Sequence, residues 1–288
     1  MFQERSGRGP IFSIGCRPIL TRHNVETSRW TGPPLRIALI SDLHICWPWV
    51  TPDALARVVA GVNALEPDLI LLPGDFLIGR KLPSLPTDAE TIAQTLAALA
   101  APLGVFASLG NHDWKDCRQA RRNDYAHGSV TPALEAAGIP VLSNQAVQIR
   151  SRSEAFWLVG FDSQQGHGST HRPHPRHDPD RAFDAVPEGA SVVLMAHEPD
   201  YFMEDDPRVA LQVSGHTHAG QMNLFGWRPL TPSRYGGRLA YGAHARGDGR
   251  LIVSAGLGYS GAPLRIGAPP EVTLVYLSGQ TGDGGENV

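Results

Sequence analysis

The chain is poor in cysteine, in net charge and in long apolar runs, and each scarcity removes a class of protein. Its three cysteines, Cys16, Cys46 and Cys117, are too few and too scattered for a disulfide framework, so a reducing compartment is the expected setting. A formal net charge of −3 gives no global basic field, and no nucleic-acid polymer is expected as a partner. No stretch reaches the roughly 20 apolar residues that a membrane helix needs. The amino-terminal MFQERSGRGPIFSIGCRPIL is interrupted by Gly and Pro and makes a poor signal peptide. The expectation is a cytoplasmic protein, a reading that also accommodates peripheral membrane association. What is present, 42% hydrophobic and 18% charged residues over 288 positions, is enough to bury a substantial core.

Five apolar runs end in small or polar residues: 35–44 (LRIALISDLH), 68–75 (DLILLPGD), 104–113 (GVFASLGNHD), 191–200 (SVVLMAHEPD) and 210–218 (ALQVSGHTH). Continuous runs of this length suit strands buried on both faces. Between the first three lie helical patterns. TPDALARVVAGVNAL has Thr51 as N-cap and Pro52 at the first helical position; TDAETIAQTLAAL pairs Thr87 with Glu90 as a capping box; a third helix is expected from Thr131-Pro132. This alternation predicts an α/β fold whose ligands gather beyond the carboxyl ends of the strands. From about Gln145 the strand-rich segments QAVQI, AFWLVGF, RLIVSAG and VTLVYL predict a second sheet packed on the first. The expected organisation is a single domain over 34–278, a partly ordered segment 1–33 before it and a disordered tail 279–288 after it. The stretch GHGSTHRPHPRHDPD (166–180) reads as a surface loop, and its histidines are not taken as ligands.

The polar ends of the runs carry the chemistry. Asp42 and His44 stand two apart, as do His216 and His218, and in an extended backbone residues i and i+2 point to one side. Asp75, Asn111 and His197 add a carboxylate, an amide oxygen and an imidazole. Nitrogen and oxygen donors without thiolate suit divalent manganese, iron, zinc or cobalt. The donors exceed what one tetrahedral ion uses; two ions sharing a carboxylate would use them all. Gly74, Gly110 and Gly215 are expected to let the backbone turn sharply behind them.

In this order, SDLH, PGDF, GNHD, AHEPD and SGHTHAGQ resemble the motif set of the calcineurin-like metallophosphoesterases. AGLGYSGAPLRIGAPPEVTLVYL is similar to the carboxyl-terminal end of their small bacterial, phosphodiesterase-type members. The resemblance implies a two-sheet αββα sandwich. It also implies Asp42, His44 and His218 on one metal, His197, His216 and Asn111 on a second, and Asp75 bridging. His112 corresponds to the non-ligand histidine that faces the phosphoryl group, and Asp113 to the acid that accompanies it. Two divalent ions, two carboxylates and a bridging hydroxide leave the first shell near about +1, which draws in an anion. The implied activity is hydrolysis of a small phosphoester, first of all a phosphodiester, by in-line attack of the bridging hydroxide. A phosphomonoesterase, a nucleotide-sugar or lipid-precursor pyrophosphatase and a non-catalytic scaffold are the alternatives. Ala219 stands where many relatives carry glycine. Trp47 and Trp49 are read as pocket rim or as packing, Cys46 as a small buried hydrophobe, and Arg80 and Lys81 as a solvated loop. Oligomeric state is not legible.

Overall fold

The computed structural model describes residues 2–4, 12–13, 17–79, 84–151 and 154–280. Cys16, Arg80, Lys81 and the tail beyond residue 280 lie outside the described residues.

In chain order the first half carries β1 (Ile19–Thr27), β2 (Leu35–Leu39), α1 (Pro52–Asn63), β3 (Leu69–Pro73), α2 (Ala89–Leu96), β4 (Val105–Ser108), α3 (Asn111–Lys115), α4 (Arg118–Arg122) and α5 (Val130–Ala136). There follow β5 (Gln145–Ser151), β6 (Glu154–Gly160), α6 (Pro179–Phe183), β7 (Val192–Met195), β8 (Val209–Ser214), β9 (Gly242–Arg246), β10 (Gly249–Val253) and β11 (Glu271–Gly279). One sheet runs β1-β11-β2-β3-β4, with Gln3–Glu4 at the β1 edge; the other runs β9-β10-β8-β7-β6-β5. The pairs β2/β3, β3/β4, β6/β7, β7/β8 and β8/β10 are parallel. Ribbons of two residues a side join Cys46–Trp47 to Leu85–Pro86 and Arg265–Ile266 to Phe12–Ser13.

The expected αββα sandwich is what forms, and the apolar runs show why. Ile37 and Leu39 of β2 pack between the sheets with Leu71, Leu158, Val193 and Val213. Their neighbours Ala38 and Ile40 face the opposite way, onto α1, α2 and α5. On the second sheet Val193 and Met195 look inward while Val192 and Leu194 meet Phe183 of α6. A strand with apolar neighbours on both faces needs apolar side chains at every position, so its sequence loses the alternation of a half-exposed strand. Helix α1 starts as expected, with the Thr51 hydroxyl accepting from Ala54 N at 3.2 Å, and buries Leu55, Val58, Val59 and Val62. Each such side chain contributes about 1.5–3 kcal/mol when fully buried.

Three details differ from the sequence reading. Helix α2 is capped by Asp88, whose carboxylate accepts from Thr91 N at 2.8 Å, and not by Thr87. VTLVYL, grouped by pattern with the second sheet, is β11 of the first, antiparallel to β2 and parallel to β1. Strand pairing is set by distant partners, which a local pattern does not name. The segment before residue 34 supplies β1, a strand pattern blurred by Arg22, Asn24 and Glu26 on its open face and by His23 on the other.

Candidate metal centre

The carboxyl ends of β2, β3 and β4 face those of β7 and β8, and the seven candidate donors lie just beyond them. Their conformation is not the extended one the spacing invoked. Asp42, His44, Asp75, His216 and His218 all hold left-handed backbone, with φ of 52, 43, 61, 70 and 51°. Each such non-glycine residue costs on the order of 1–3 kcal/mol and persists only where its surroundings over-determine it. Those surroundings are visible. Asp42 N donates to Gly74 O at 3.1 Å and His44 N to Asp75 O at 3.1 Å. His216 N donates to both Asp42 carboxylate oxygens, at 2.9 and 3.1 Å.

The glycines act in two ways. Gly74 makes a true turn at φ 91°, whereas a Cβ on Gly215 would stand 1.8 Å from Ser41 Oγ and 2.2 Å from Asp42 Oδ2. A Cβ on Gly110 would likewise meet Asp75 Oδ1 at 2.2 Å. At Gly110 and Gly215 the requirement is close approach to a carboxylate, not a turn.

The donors fall into two sets. Asp42, His44 and His218 each place a ligand-type atom within 4.8 Å of the others, and Asp75, His197 and His216 do the same; His44, Asp75 and the less buried His112 form a third such grouping that overlaps both. His44 Nε2 and His218 Nε2 are 3.2 Å apart; His216 Nδ1 and His197 Nε2 are 3.3 Å apart. Asp75 Oδ2 lies 3.5 Å from His44 Nε2 and 3.1 Å from His197 Nε2, between the sets. His216 and His218 thus divide one strand end between two subsites. Asn111 is buried, and its Oδ1 has no hydrogen-bond partner.

The rings are held from behind. His44 Nδ1 donates to Leu77 O at 2.8 Å and His197 Nδ1 to Pro73 O at 2.7 Å, which turns Nε2 of each toward the pocket. The Gln165 side-chain amide abuts His216 Nε2 at 2.8 Å. Behind His218 the Arg265 guanidinium sets Nη2 3.1 Å from Nδ1. Fully buried, Arg265 donates to the carbonyls of Ala255, Gly258 and Ala268 at 2.8, 2.6 and 3.2 Å, knitting the loop that backs Asp42 and His44.

Asp113 does not orient His112. Its carboxylate accepts from the backbone N–H groups of Asp75 (2.8 Å), Phe76 (2.8 Å), Leu77 (3.1 Å) and Gly110 (2.9 Å), clamping two ligand-bearing loops together. The acid on His112 is Asp116, whose Oδ2 is 2.5 Å from Nδ1. Asp116 follows His112 by four residues across the end of α3, the spacing that brings side chains together on a helix. Asp116, Gln165 and Arg265 are the residues that sequence reasoning missed, and the i, i+4 spacing could have found the first.

Electrostatics show what the pocket needs. Burial pushes Asp42 up to about 6, with His197 opposing and Asp75 adding to the rise. Burial also resists ionisation of Asp75, but the charges of His197 and then His112 hold its carboxyl well below the usual range. Burial would lower His197, yet Asp75 raises it to about 10. Burial lowers His44 to about 3, and burial with the neighbouring charges of Arg265 and His197, respectively, holds His218 and His216 well below the imidazole range. Buried carboxylates require a cation, and neutral imidazoles aimed at the same space are ligands for one. The Asn111 oxygen lacks only a cation to accept. The residues fit a dinuclear metal site.

The two proposed rim groups separate. Trp47 is 60% exposed, whereas Trp49 packs against the helix-side core. Cys46 is buried, as expected of a small hydrophobe. Ala219 has φ 54°, so this turn does need the left-handed region that glycine takes freely.

Comparison with known proteins gives a consistent result. The profile of the calcineurin-like phosphoesterases matches residues 35–220. A putative metallophosphoesterase of Caenorhabditis elegans, F40B5.2, is 31% identical over 93% of this chain, which spans about half (54%) of that longer protein. The phosphodiesterase YaeI of Escherichia coli is 30% identical, over 90% of this chain and 87% of its own length. A dimetal phosphatase from Danio rerio superposes with a TM-score of 0.50 at 12% identity, covering 85% of this chain and all of its own, a likeness of fold.

Proposed function

The chain belongs to the calcineurin-like phosphoesterase family, whose members are hydrolases, and from that premise we propose that it hydrolyses a small phosphodiester at a dinuclear metal site. The observation that carries the reading is the pair of buried donor sets with Asp75 between them, together with the buried, unpartnered Asn111 oxygen. In this reading Asp42, His44 and His218 hold one ion, His197, His216 and Asn111 the other, and Asp75 both. Manganese, iron, zinc and cobalt suit the mixed nitrogen and oxygen donors. When bound, the ions supply Lewis acidity toward the phosphoryl group and activate a water near neutral pH.

The chain's own residues do the rest. Pocket histidines are 0–4% exposed at their side chains in His44, His197 and His218, whereas His112 is 13% exposed, so the pocket opens toward His112. Asp116 accepts a hydrogen bond from Nδ1 of His112, and in its doubly protonated form the ring donates the Nε2 proton to a phosphoryl oxygen or to the departing alkoxide. The His112 ring stands edge-on to His44 at 4.7 Å between centroids, close to the donor sets yet outside their buried core. Asp113 keeps the loops bearing Asp75 and Asn111 in register. Two favourable points support a diester over a monoester: a first shell near about +1 matches a singly charged substrate, and YaeI carries the name phosphodiesterase. Buried, free Cys46 and Cys117 accord with a cytoplasmic setting for this activity.

The test uses purified protein loaded with manganese or zinc. Bis(p-nitrophenyl) phosphate should turn over faster than p-nitrophenyl phosphate, and Asp75→Asn should lose both metal content and turnover while melting cooperatively. Faster monoester hydrolysis would replace the diesterase reading with a monoesterase, and full activity in Asp75→Asn would remove the dinuclear reading itself.

A further inference from the structure

We propose that the hairpin tip formed by Leu224, Phe225, Gly226 and Trp227 is a contact for an anionic lipid surface, placed beside the metal pocket. Beyond His218 the chain folds into a tight turn: Leu224 N donates to Trp227 O at 2.9 Å and Trp227 N to Leu224 O at 3.1 Å. The Asn223 side chain accepts from Gly226 N at 2.8 Å, and Asn223 N donates to Ile266 O at 2.7 Å, so the tip stands on a hydrogen-bonded base.

Its side chains are spent on solvent. Phe225 is 101% exposed, Trp227 65%, Leu230 62% and Leu224 41%. Phe225 also holds φ 55°, a left-handed backbone that asparagine or glycine takes easily and a bulky aromatic does not. An aromatic ring that is both strained in backbone and wholly unpacked gains nothing within the fold, and its return must come from outside it.

Charge identifies the occupant. Residues 225–240 carry Arg228, Arg234 and Arg238 and neither Asp nor Glu, in a chain whose net charge is −3, while Arg208 and Arg246 are taken up by Asp206 and Asp205. The tip therefore sits in a locally cationic stretch of an acidic protein. Phe, Trp and Arg are also enriched at protein–protein interfaces, but there the core is a broad, closely packed patch that shuts over a matching surface, whereas these rings project from a single tight turn. A projecting aromatic tip followed by arginines matches instead the chemistry of a membrane interface, with rings at headgroup depth and cations over anionic lipid.

A second apolar projection leaves the same pocket. The ribbon pairing Trp47 with Leu85, at 60% and 51% exposure, begins two residues after His44. The His44 and His218 rings, from which the two projections depart, are 3.2 Å apart at Nε2. The foot of the Leu224–Trp227 tip is tied to the residue after His218 by Arg228 Nε donating to Ala219 O at 3.1 Å, so a bilayer touched by this tip lies near the pocket.

The experiment is co-sedimentation of the full chain with vesicles of phosphatidylcholine and phosphatidylglycerol (3:1 as prepared, ~100 nm) and with phosphatidylcholine alone. Wild type should partition onto the anionic vesicles, less so at high salt, and F225S/W227S should lower that partitioning by at least about tenfold. The melting temperature should not move, since neither side chain packs. Vesicle binding is scored without turnover, so it stands or falls apart from the hydrolytic reading. Wild type that stays in the supernatant, or binding equal in F225S/W227S, overturns the proposal. So does a dimer by light scattering that F225S/W227S dissociates, which would assign the tip to a second copy of this chain.

Discussion

Two groups of four histidines lie within the same chain and meet opposite fates. His44, His197, His216 and His218 converge on Asp42 and Asp75, and all are at most 5% exposed. His167, His171, His174 and His177 occupy the Gly- and Pro-rich loop, where His167 and His174 present their rings as flat surfaces. His167 stacks on Tyr125 at 3.8 Å with 7° between planes, and on His174 at 4.4 Å with 18°. Among the described residues, the groupings able to hold an ion all draw on the first set. Density of histidine does not make a ligand. A carboxylate in the same pocket, a partner behind the ring that fixes its tautomer, and a backbone held in place against its own preference do.

The sharpest way to break that comparison is to remove one ring from each group. His216→Ala should weaken metal binding by more than about 100-fold, because even the outer partners of ligands are worth ~10–100-fold. His174→Ala should leave metal binding alone and move stability by under about 0.5 kcal/mol. Titration calorimetry with manganese measures the first, thermal melting the second, and equal loss of metal in both variants would erase the distinction.

The partner behind the ring is tested next. Arg265→Lys keeps the charge but cannot reach the carbonyls of Ala255, Gly258 and Ala268 at once, so the loop that backs Asp42 and His44 should loosen and affinity at the first subsite fall by about 10–100-fold. The readout is metal affinity set against melting temperature. An unchanged affinity in a destabilised protein would make Arg265 a purely architectural residue.

Proton linkage offers a smaller, signed effect. Burial alone would lower His197, but Asp75 raises it to about 10, so near pH 7 the ring carries a proton that an entering cation displaces. Affinity should therefore rise with pH by up to about tenfold per unit below that value. Calorimetry in buffers of different ionisation enthalpy should find about one proton released per protein at pH 7; no release would contradict the assignment. No such linkage is expected of the stacked loop histidines.

Least in size is the effect of relieving backbone strain. Ala219→Gly, at φ 54°, should stabilise by about 1 kcal/mol and raise the melting temperature by roughly 2–4 °C. A lower melting temperature would mean that the methyl group, 3% exposed as part of a buried residue, contributes more by packing than the conformation costs.

Particular residues show how far the chain could be read before it was folded. The runs at 35–44 and 68–75 announced doubly buried strands because both faces of β2 and β3 meet apolar neighbours. The seven donors were legible because each sits where such a run stops. The geometric reason attached to them was wrong: Asp42 and His44 are left-handed, not extended, and share a pocket because Gly74 O and Asp75 O hold their N–H groups. Asp113 carries the same motif letter either way, yet its four backbone donors make it a clamp, while Asp116 meets His112. Arg265 and Gln165 reach their histidines across 47 and 51 residues of sequence, and no local spacing encodes such contacts.

By itself, then, the amino-acid order determined the layers of the sandwich, the chemistry of the donors and their family, since these depend on hydrophobic pattern and residue type along short segments. Tertiary structure alone decided which donor shares space with which, which ring nitrogen faces the pocket, and which acid orients His112. Those choices depend on interactions acting over a few ångströms between segments far apart in the chain, and only the packing of the two sheets brings such segments together.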